Sequence, residues 1–337
     1  VAQVALHRGG LAFKNPHAAP RGSQPQGETT VPAFHWNTFV LVSATLFLAT
    51  CGEQQVSTPP ASEQTVQVAG RTLKPGDTFR DCDGCPEMVV IPAGRFSMGS
   101  PANEPGHSPD EQPQHNVTFG KPFAVGKFEV TRAEYAAFAT ATNAPVTPGC
   151  FFFNGTEQVI DPARSWQSPG YEQGDRDPVV CLDWDETRAY LQWLTSRSGT
   201  DYRLLTEAEF EYVSRAGTMT ARPWGAEIGR GNANCDGCGT EFDAKRSAPA
   251  GTFKANAFGV HDTLGNVWER TEDCWHDTYT GAPSDGRAWT VGGICTQRVT
   301  RGGAWLSDAP DVRSALRNWD MAGNRKYTLG FRVARGL

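Results

Sequence analysis

Residues 298–317 read RVTRGGAWLSDAPDVRSALR, and their pattern indicates the kind of domain that the chain forms. The part RVTRGGAW, residues 298–305, is typical of a strand that runs into a glycine turn. GFRVAR, residues 330–335, is its predicted partner in a small sheet. Beyond Gly217 the chain is rich in short strands, Trp and Gly, and its pattern favours no helix. We therefore expect one irregular α+β domain with little regular secondary structure.

The composition also favours an irregular fold. The 337 residues include 36 Gly, 23 Pro and 10 Trp, and only 39% are hydrophobic, which is typical of many turns and few long elements. The formal net charge of −6 is spread along the chain without long runs of one sign. Nucleic-acid-binding proteins usually carry a clustered basic face, so the charge pattern argues against that class.

Three helices are predicted from capping boxes, in which a polar residue precedes a Glu by three positions. Apolar residues at helical spacing follow each pair, and glycines at 199 and 217 predict the ends of the second and third helices. These acidic residues are interpreted as helix caps before any catalytic role. The pairs are Thr131 with Glu134, Asp183 with Glu186, and Thr206 with Glu209.

Short strands are predicted around these helices. Residues 87–100 form an apolar run cut by Pro and Gly, which predicts two strands and a turn. Residues 115–131 predict a strand, a turn and a second strand, and residues 178–184 predict one more strand. Between them, residues 143–177 keep no period and predict a long loop.

The N-terminal part predicts export. Residues 39–50 are an apolar run of signal-peptide length, too short to span a membrane, within a leader that we assign to residues 1–51. Cys51 follows this run as in a bacterial lipoprotein cleavage site, so we expect it to be lipidated; ordinary cleavage is the alternative. Residues 52–71 are polar and predict a flexible tether, followed by the domain at 72–337. We expect a periplasmic or outer-surface protein held at the membrane only by lipid.

The remaining eight cysteines favour disulfides, since an exported chain meets an oxidising compartment. Cys274 with Cys295 is the preferred long-loop pair, and Cys150 with Cys181 is the remaining candidate. The two Cys-x-x-Cys pairs could each form a disulfide or together hold one zinc ion. These pairs are Cys82 with Cys85 and Cys235 with Cys238.

Six ordered blocks resemble the formylglycine-generating enzyme family, also called sulfatase-modifying factors. They cover nearly the whole predicted domain, and the family's fold is an irregular relative of the C-type lectin fold. The resemblance therefore implies the same α+β class as the residue patterns. The blocks are MVVIPAGRFSMGS (88–100), RLLTEAEFEYVSRAG (203–217), PWG (223–225), NAFGVHDTLGNVWER (256–270), RVTRGGAW (298–305) and GFRVAR (330–335).

The resemblance also implies a catalytic position that this chain has changed. Active members place two cysteines on the segment after the RGGSW block, where they bind copper(I) and convert a sulfatase cysteine into formylglycine. Here these positions are Ser307 and Val312, and the serine inside the block is Ala304. A normal hydroxyl and a valine cannot replace thiolates toward copper(I), so copper is not expected.

Calcium is the cofactor that the resemblance favours. One site would use the Asp262 and Glu269 carboxylates with two backbone carbonyls. A second site would use the side chains of Asn234 and Asp243 with two other backbone carbonyls. Without the family, Asp262 and Glu269 are simply polar turn residues. The carbonyls belong to Gly265 and Val267 in the first site and to Cys235 and Lys245 in the second.

Two functions remain open. The first is a non-oxidising member that binds a peptide, a protein such as a sulfatase, or a small ligand in a groove. That groove would be formed by Trp268, Ser307 and Asp308, although Trp268 could equally be a core residue. The second is an oxidoreductase for protein or secreted-metabolite maturation that uses another metal or other cysteines, such as Cys235 and Cys238. Whether the chain is an enzyme is therefore undecided, and the sequence gives no oligomeric state.

Overall fold

A computed structural model describes Pro60 and residues 63–337. The predicted leader, Cys51 and half of the predicted tether lie outside these residues. Within the described part, no helix is both long and apolar enough to cross a bilayer. The described strands are β1 Val66–Val68, β2 Arg71–Leu73, β3 Thr78–Phe79, β4 Met88–Ile91, β5 Gly94–Met98, β6 His115–Phe119, β7 Phe123–Gly126, β8 Cys150–Phe153, β9 Gln158–Asp161, β10 Arg203–Leu204, β11 Trp268–Trp275, β12 Ile294–Arg301, β13 Arg317–Met321, β14 Leu329–Phe331 and β15 Val333–Gly336.

Two larger sheets and three hairpins organise these strands. The larger sheet has the order β10-β15-β7-β4-β3, and the smaller one has the order β13-β12-β11-β14. Only β11 and β14 pair in parallel, since the pairings described for the other strands are antiparallel. The hairpins are β1-β2, β5-β6 and β8-β9. The first hairpin begins at Val66, so residues 66–71 of the predicted tether belong to the folded domain.

The described helices confirm the capping-box prediction. They are α1 Arg132–Thr142, α2 Trp184–Ser198 and α3 Glu207–Arg215. The side chains of Thr131, Asp183 and Thr206 each accept a hydrogen bond from the backbone N–H of the Glu three residues later. The side chain of that Glu accepts a hydrogen bond from the backbone N–H of the cap residue in return. Gly199 ends α2 as predicted. The third helix ends at Arg215, and its C-cap is Ala216 rather than the predicted Gly217, because Ala216 itself takes the left-handed conformation.

One strand prediction was wrong, and one loop prediction was incomplete. Residues 178–184 form no strand, and Pro178 makes only an isolated bridge with Thr131. The physical reason is Cys181, whose φ of 61° interrupts an extended backbone. Conversely, residues 143–177 are not wholly irregular, since they contain the β8-β9 hairpin.

The predicted pairing of residues 298–305 with residues 330–335 was also wrong in detail. Both segments contribute to the smaller sheet, but β11 lies between β12 and β14. The second segment then continues into β15, which joins the other sheet between β7 and β10. A prediction that pairs only these two segments could not show that residues 330–335 contribute strands to two different sheets.

The larger sheet separates two apolar cores. Met88 and Val90 of β4 face a core that includes Tyr135 of α1 and Leu194 of α2. Their neighbours Val89 and Ile91 face the other core, which includes Phe210 of α3. Because successive strand residues point to opposite faces, both faces of β4 are covered and all four of its residues are buried.

The structure confirms four disulfides, and both Cys-x-x-Cys pairs are oxidised rather than arranged as one four-sulfur site. The bonds join Cys82 to Cys85, Cys150 to Cys181, Cys235 to Cys238 and Cys274 to Cys295.

Candidate functional site

The segment after β12 turns sharply into the interior. Gly302 and Gly303 have φ values of 96° and 81°, which favour glycine. A Cβ on Gly302 would lie 3.0 Å from the Thr263 carbonyl, so the turn also requires a close backbone approach. The Gly302 carbonyl accepts a hydrogen bond from Gly265 N at 2.8 Å. This turn brings residues 304–312 beside the segment that leads into β11.

Ser307 occupies the first of the two predicted catalytic positions. Its hydroxyl Oγ accepts a hydrogen bond from Ala304 N at 2.9 Å, and its own N–H donates to the Ala304 carbonyl at 2.9 Å. The residue is only 9% exposed. The hydroxyl therefore closes the turn, and its hydrogen bonding already explains its presence.

Val312 occupies the second position and has no exposed surface. It packs in a small apolar cluster with Leu264 and the Cys235–Cys238 disulfide. Arg313, the next residue, forms two hydrogen bonds to Glu111 at 2.6 and 3.1 Å. The segment is therefore fixed on both sides of Val312, and a valine at this position provides only packing.

The structure brings the Cys235–Cys238 loop directly against the predicted catalytic segment. Asp236 N donates to the Ser307 carbonyl at 2.9 Å, and Ala309 N donates to the Asp236 carbonyl at 3.1 Å. Both cysteines are buried. Spacing alone could not reveal this proximity, because the two segments are far apart in the sequence.

Three carboxylates lie around this contact. Burial raises the pKa of Asp308, and the negative charges of Asp311 and Asp236 raise it further. Asp308 was predicted to line the groove, whereas Asp236 and Asp311 were missed. The Asp-Gly of the Cys-x-x-Cys loop was visible in the sequence, but its position beside Asp308 depends on tertiary structure.

Trp268 is partly buried and begins β11. The backbone N–H of Trp268 donates to the Thr328 carbonyl at 2.8 Å, which helps to join β11 to the chain before β14. Two residues earlier, the Asn266 carbonyl accepts a hydrogen bond from Trp305 N at 2.9 Å. The strand that carries Trp268 therefore runs beside the turn that carries Ser307.

The residues of the first predicted calcium site lie in a buried charged cluster. Asp262 Oδ2 accepts a hydrogen bond from Gly251 N at 2.5 Å, while Oδ1 is buried without a partner. Both oxygens of Glu269 are bonded to the Arg332 guanidinium, at 2.7 and 3.1 Å. Glu269 would therefore have to leave Arg332 in order to bind a cation. The backbone of Gly265 and Val267 connects these two carboxylates.

Glu129 belongs to the same cluster and was missed by the sequence analysis. Its Oε1 accepts a hydrogen bond from Asn266 Nδ2 at 3.1 Å, and its Oε2 is buried without a partner. Burial, followed by the charge of Asp262, raises the pKa of Glu129 well above its usual value. Burial likewise raises the pKa values of Asp262 and Glu269, against the opposing effect of Arg332. No local pattern marks Glu129, since it simply precedes α1.

The residues of the second predicted calcium site are held by other contacts. Asn234 Nδ2 donates to the Arg246 carbonyl at 3.0 Å, and its Oδ1 is buried without a partner. The Asp243 carboxylate accepts hydrogen bonds from Gly239 N and Thr240 N, so it closes a local turn. Cys235 is in a disulfide and Lys245 is exposed. In the described residues, no group of three or more His, Cys, Asp or Glu side chains is placed to hold a metal ion.

A cavity of about 220 Å³ lies at the other end of β11 from Trp268. Its walls include Trp275 and the stacked rings of His276 and Trp289, whose centroids are 3.5 Å apart. Residues 292–294, next to Cys295, complete one side. The sequence analysis did not identify this cavity.

The architecture and the glycine turn define an irregular α+β domain with a C-type-lectin-like fold. A sequence profile described as the sulfatase-modifying factor enzyme 1-like domain matches residues 74–337. The chain belongs to this family, which confirms the resemblance given by the six sequence blocks.

Known proteins of this kind cover most of the chain. A formylglycine-generating enzyme of Thermomonospora curvata is 31% identical over an alignment of 290 residues, and this alignment covers 73% of this chain and 92% of the relative. A Bos taurus protein named inactive C-alpha-formylglycine-generating enzyme 2 is 29% identical over 290 residues, covering 74% and 88% respectively. The solved structure of PvdO from Pseudomonas aeruginosa has a TM-score of 0.70 at 41% identity, covering 79% of this chain and all, 100%, of that chain.

Proposed function

We propose that this family member binds an extended peptide or a small ligand beside residues 304–312 and does not make formylglycine with copper. The observation that carries the proposal is the pair of side chains at the predicted catalytic positions. Ser307 uses its hydroxyl to accept the Ala304 N–H, and Val312 is fully buried. Copper(I) requires soft thiolate or thioether ligands, and neither side chain provides one.

The groove proposal rests on the surfaces that surround this segment. Trp268 can supply an aromatic face, and Asp308 with its two acidic neighbours can attract a basic group of the ligand. Relatives of the chain include one named as a formylglycine-generating enzyme and one named as inactive. A sulfatase peptide is therefore the first ligand to test, as a binding partner rather than as a substrate.

Copper titration under reducing conditions, with oxygen consumption on a cysteine-containing sulfatase peptide, tests this proposal. We expect no stoichiometric copper(I) binding and no aldehyde product, but saturable peptide binding. A Trp268→Ala variant should weaken that binding, and an exposed control, Arg287→Ala, should not. Copper-dependent turnover by the unmodified protein would sink the proposal.

The double variant Ser307→Cys/Val312→Cys tests the donor argument directly. If only the sulfur ligands are missing, the variant should bind copper(I) while the unmodified protein does not. The single variant Ser307→Cys is the matched control, since one thiolate should bind far more weakly. Equal copper binding by the double variant and the unmodified protein would contradict this account.

An oxidoreductase that uses Cys235 and Cys238 is the second candidate. It is favoured by the contact of Asp236 with Ser307, which puts this disulfide beside the predicted catalytic segment. Burial of both sulfurs opposes it, because attack on a disulfide requires access. Loss of oxygen consumption in Cys235→Ala/Cys238→Ala, with retention in Cys82→Ala/Cys85→Ala, would support it over the first function.

Structural calcium remains part of the proposal. Asp262 Oδ1 and Asn234 Oδ1 are buried acceptors without partners, and a hard cation prefers such oxygens. We expect calcium to raise the melting temperature, and Asp262→Ala, which removes the first site, to reduce that rise while Asp285→Ala does not. An unchanged melting temperature with calcium or a chelator would contradict calcium binding.

Export with lipidation at Cys51 completes the proposed function. It is supported by the apolar run at residues 39–50, the cysteine that follows it and the disulfides of the folded domain. Mass spectrometry of the membrane fraction should find a lipid-modified N-terminal cysteine. An unmodified N-terminus downstream of Cys51 would exclude the anchor.

A further inference from the structure

The four disulfides differ in the access that they give to a reagent. Cys150–Cys181 and Cys235–Cys238 are buried at both cysteines. Cys82–Cys85 combines a half-buried cysteine with a buried one. In Cys274–Cys295, Cys274 is 1% exposed, whereas Cys295 is exposed. Cys295 is therefore the side of this disulfide that faces solvent, and a thiolate that approaches from solvent meets Cys295 before Cys274.

Cys295 is exposed because it lies in a bulge of β12. Trp275 of β11 pairs with Ile294, but the preceding residue Cys274 pairs with Arg298. Residues 295–297 therefore have no ladder partners on β11, although Gln297 still pairs with Met321 of β13 on the other side. The disulfide crosses the base of this bulge, and the cavity lined by Trp275 and Ile294 lies next to it.

The buried sulfur of the same pair contacts a cation. Arg298 is the direct cross-strand partner of Cys274, and its Nη1 lies 3.5 Å from Cys274 Sγ. The same Nη1 donates to the Glu272 carbonyl at 3.0 Å, and the guanidinium lies 4.0 Å from the centre of the Trp184 ring. In the described residues, this is the one cysteine sulfur with a charged hydrogen-bond donor. A neighbouring cation stabilises a thiolate more than a disulfide sulfur.

We propose that Cys274–Cys295 is a thiol–disulfide exchange site whose reaction partner is a dithiol. A thiolate of the partner attacks Cys295 Sγ and forms a mixed disulfide, while the bond to Cys274 breaks. Cys274 leaves as a thiolate that accepts the Arg298 N–H. The partner's second thiolate then forms the partner disulfide and releases Cys295, which takes a proton. The protein gains two electrons and the dithiol is oxidised.

The asymmetry of the site sets the direction of attack. Cys295 faces solvent and can be approached. The buried Cys274 Sγ is the leaving group, and Arg298 stabilises it as a thiolate, so both features favour attack at Cys295. The site lies at the opposite end of β11 from Trp268, and the inference does not depend on the proposed peptide groove. It also involves none of the residues at the predicted catalytic positions.

Timed reduction of the intact folded protein tests the proposal. Dithiothreitol is added near neutral pH, samples are quenched with an alkylating reagent, and peptide mass spectrometry reports each cysteine pair separately. We expect Cys274–Cys295 to open about ten-fold faster than Cys82–Cys85, in which Cys82 is half-buried and neither sulfur accepts a hydrogen bond from a cation. Equal rates for these two pairs would overturn the proposal.

Replacing Arg298 separates the role of the cation from simple exposure. Arg298→Gln should slow opening of the pair about ten-fold, because Cys274 becomes a poorer leaving group. Arg298→Lys keeps the positive charge and should retain most of the opening rate. This variant also tests the role of the cation if Arg298→Gln folds poorly. The matched control is Arg188→Gln, since Arg188 lies 3.5 Å from Glu272 but belongs to α2 and its side chain is 49% exposed. Equal effects of Arg298→Gln and Arg188→Gln would overturn the role of Arg298.

Two further arms identify the attacked sulfur and the type of dithiol. With reduced glutathione, a trapped adduct on Cys295 supports the proposed direction, and an adduct on Cys274 refutes it. With a Cys-x-x-Cys oxidoreductase at the same thiol concentration as dithiothreitol, faster opening assigns the site to a protein dithiol. Slower opening assigns it to small dithiols.

Discussion

At the residue scale, the surroundings of Asp273 disfavour the ionised form of its carboxyl group. Its side chain accepts hydrogen bonds from Glu207 N and Trp289 N, both at 2.7 Å, and the residue is 3% exposed. Burial, followed by the negative charge of Glu207, raises the pKa of Asp273 to about 7. The carboxylate therefore joins the start of α3 to the chain that lines the cavity, at an electrostatic cost.

The Asp273 carboxyl predicts a pH dependence of stability. Because its folded pKa lies above its unfolded value, the folded state holds the proton more tightly, and this stabilisation is lost as pH rises toward about 7. Relative to Asp273→Asn, the unmodified protein should lose more than about 1 kcal/mol of unfolding free energy between about pH 4 and pH 8. Urea unfolding at several pH values measures this difference. The exposed control Asp285→Asn should differ from the unmodified protein by a nearly constant amount at every pH. A difference between the unmodified protein and Asp273→Asn that does not change with pH would contradict the prediction.

The candidate site was predictable only where single residues determine the chemistry. The presence of Ser307 and Val312 at the catalytic positions was readable from the sequence, since the family blocks fix those positions. The contact of Ser307 with Asp236, and the position of Glu129 near Asp262, were not. Both depend on chain segments that meet only after folding.

At the element scale, the helix starts were predictable because a capping box is local. Cap and Glu lie three residues apart, so the sequence contains the complete interaction. Strand partners have no such local signal. The wrong assignment of residues 178–184 arose because an apolar run also fits a buried irregular segment, and here Cys181 adopts a positive φ.

The cap of α1 gives a quantitative prediction at this scale. Thr131→Ala removes the acceptor for Glu134 N and should reduce the free energy of unfolding by about 1 kcal/mol. Thr142→Ala is the control, because Thr142 lies in the same helix and only bonds back to the Phe138 carbonyl. Chemical denaturation should show the larger loss for Thr131→Ala. Equal losses would mean that the cap contributes no specific stability.

At the scale of the whole molecule, disulfides restrict a chain that has few long elements. Cys150 and Cys181 are separated by 31 residues, whereas Cys82 and Cys85 are separated by three. A longer closed loop loses more entropy in the unfolded state, so Cys150→Ala/Cys181→Ala should cost about 3–4 kcal/mol. Cys82→Ala/Cys85→Ala should cost clearly less. Thermal unfolding of both variants checks the order, and a larger loss for the short loop would contradict it.

The arrangement of β15 has a consequence for how the molecule is made. This strand follows every other described element in the sequence, yet it occupies an interior position between β10 and β7. A ribosome delivers the preceding strands first, so the gap in the sheet stays open until Val333–Gly336 emerge. The strands made earlier therefore cannot complete this sheet, or the apolar layers on its two faces, before the last described strand has been synthesised.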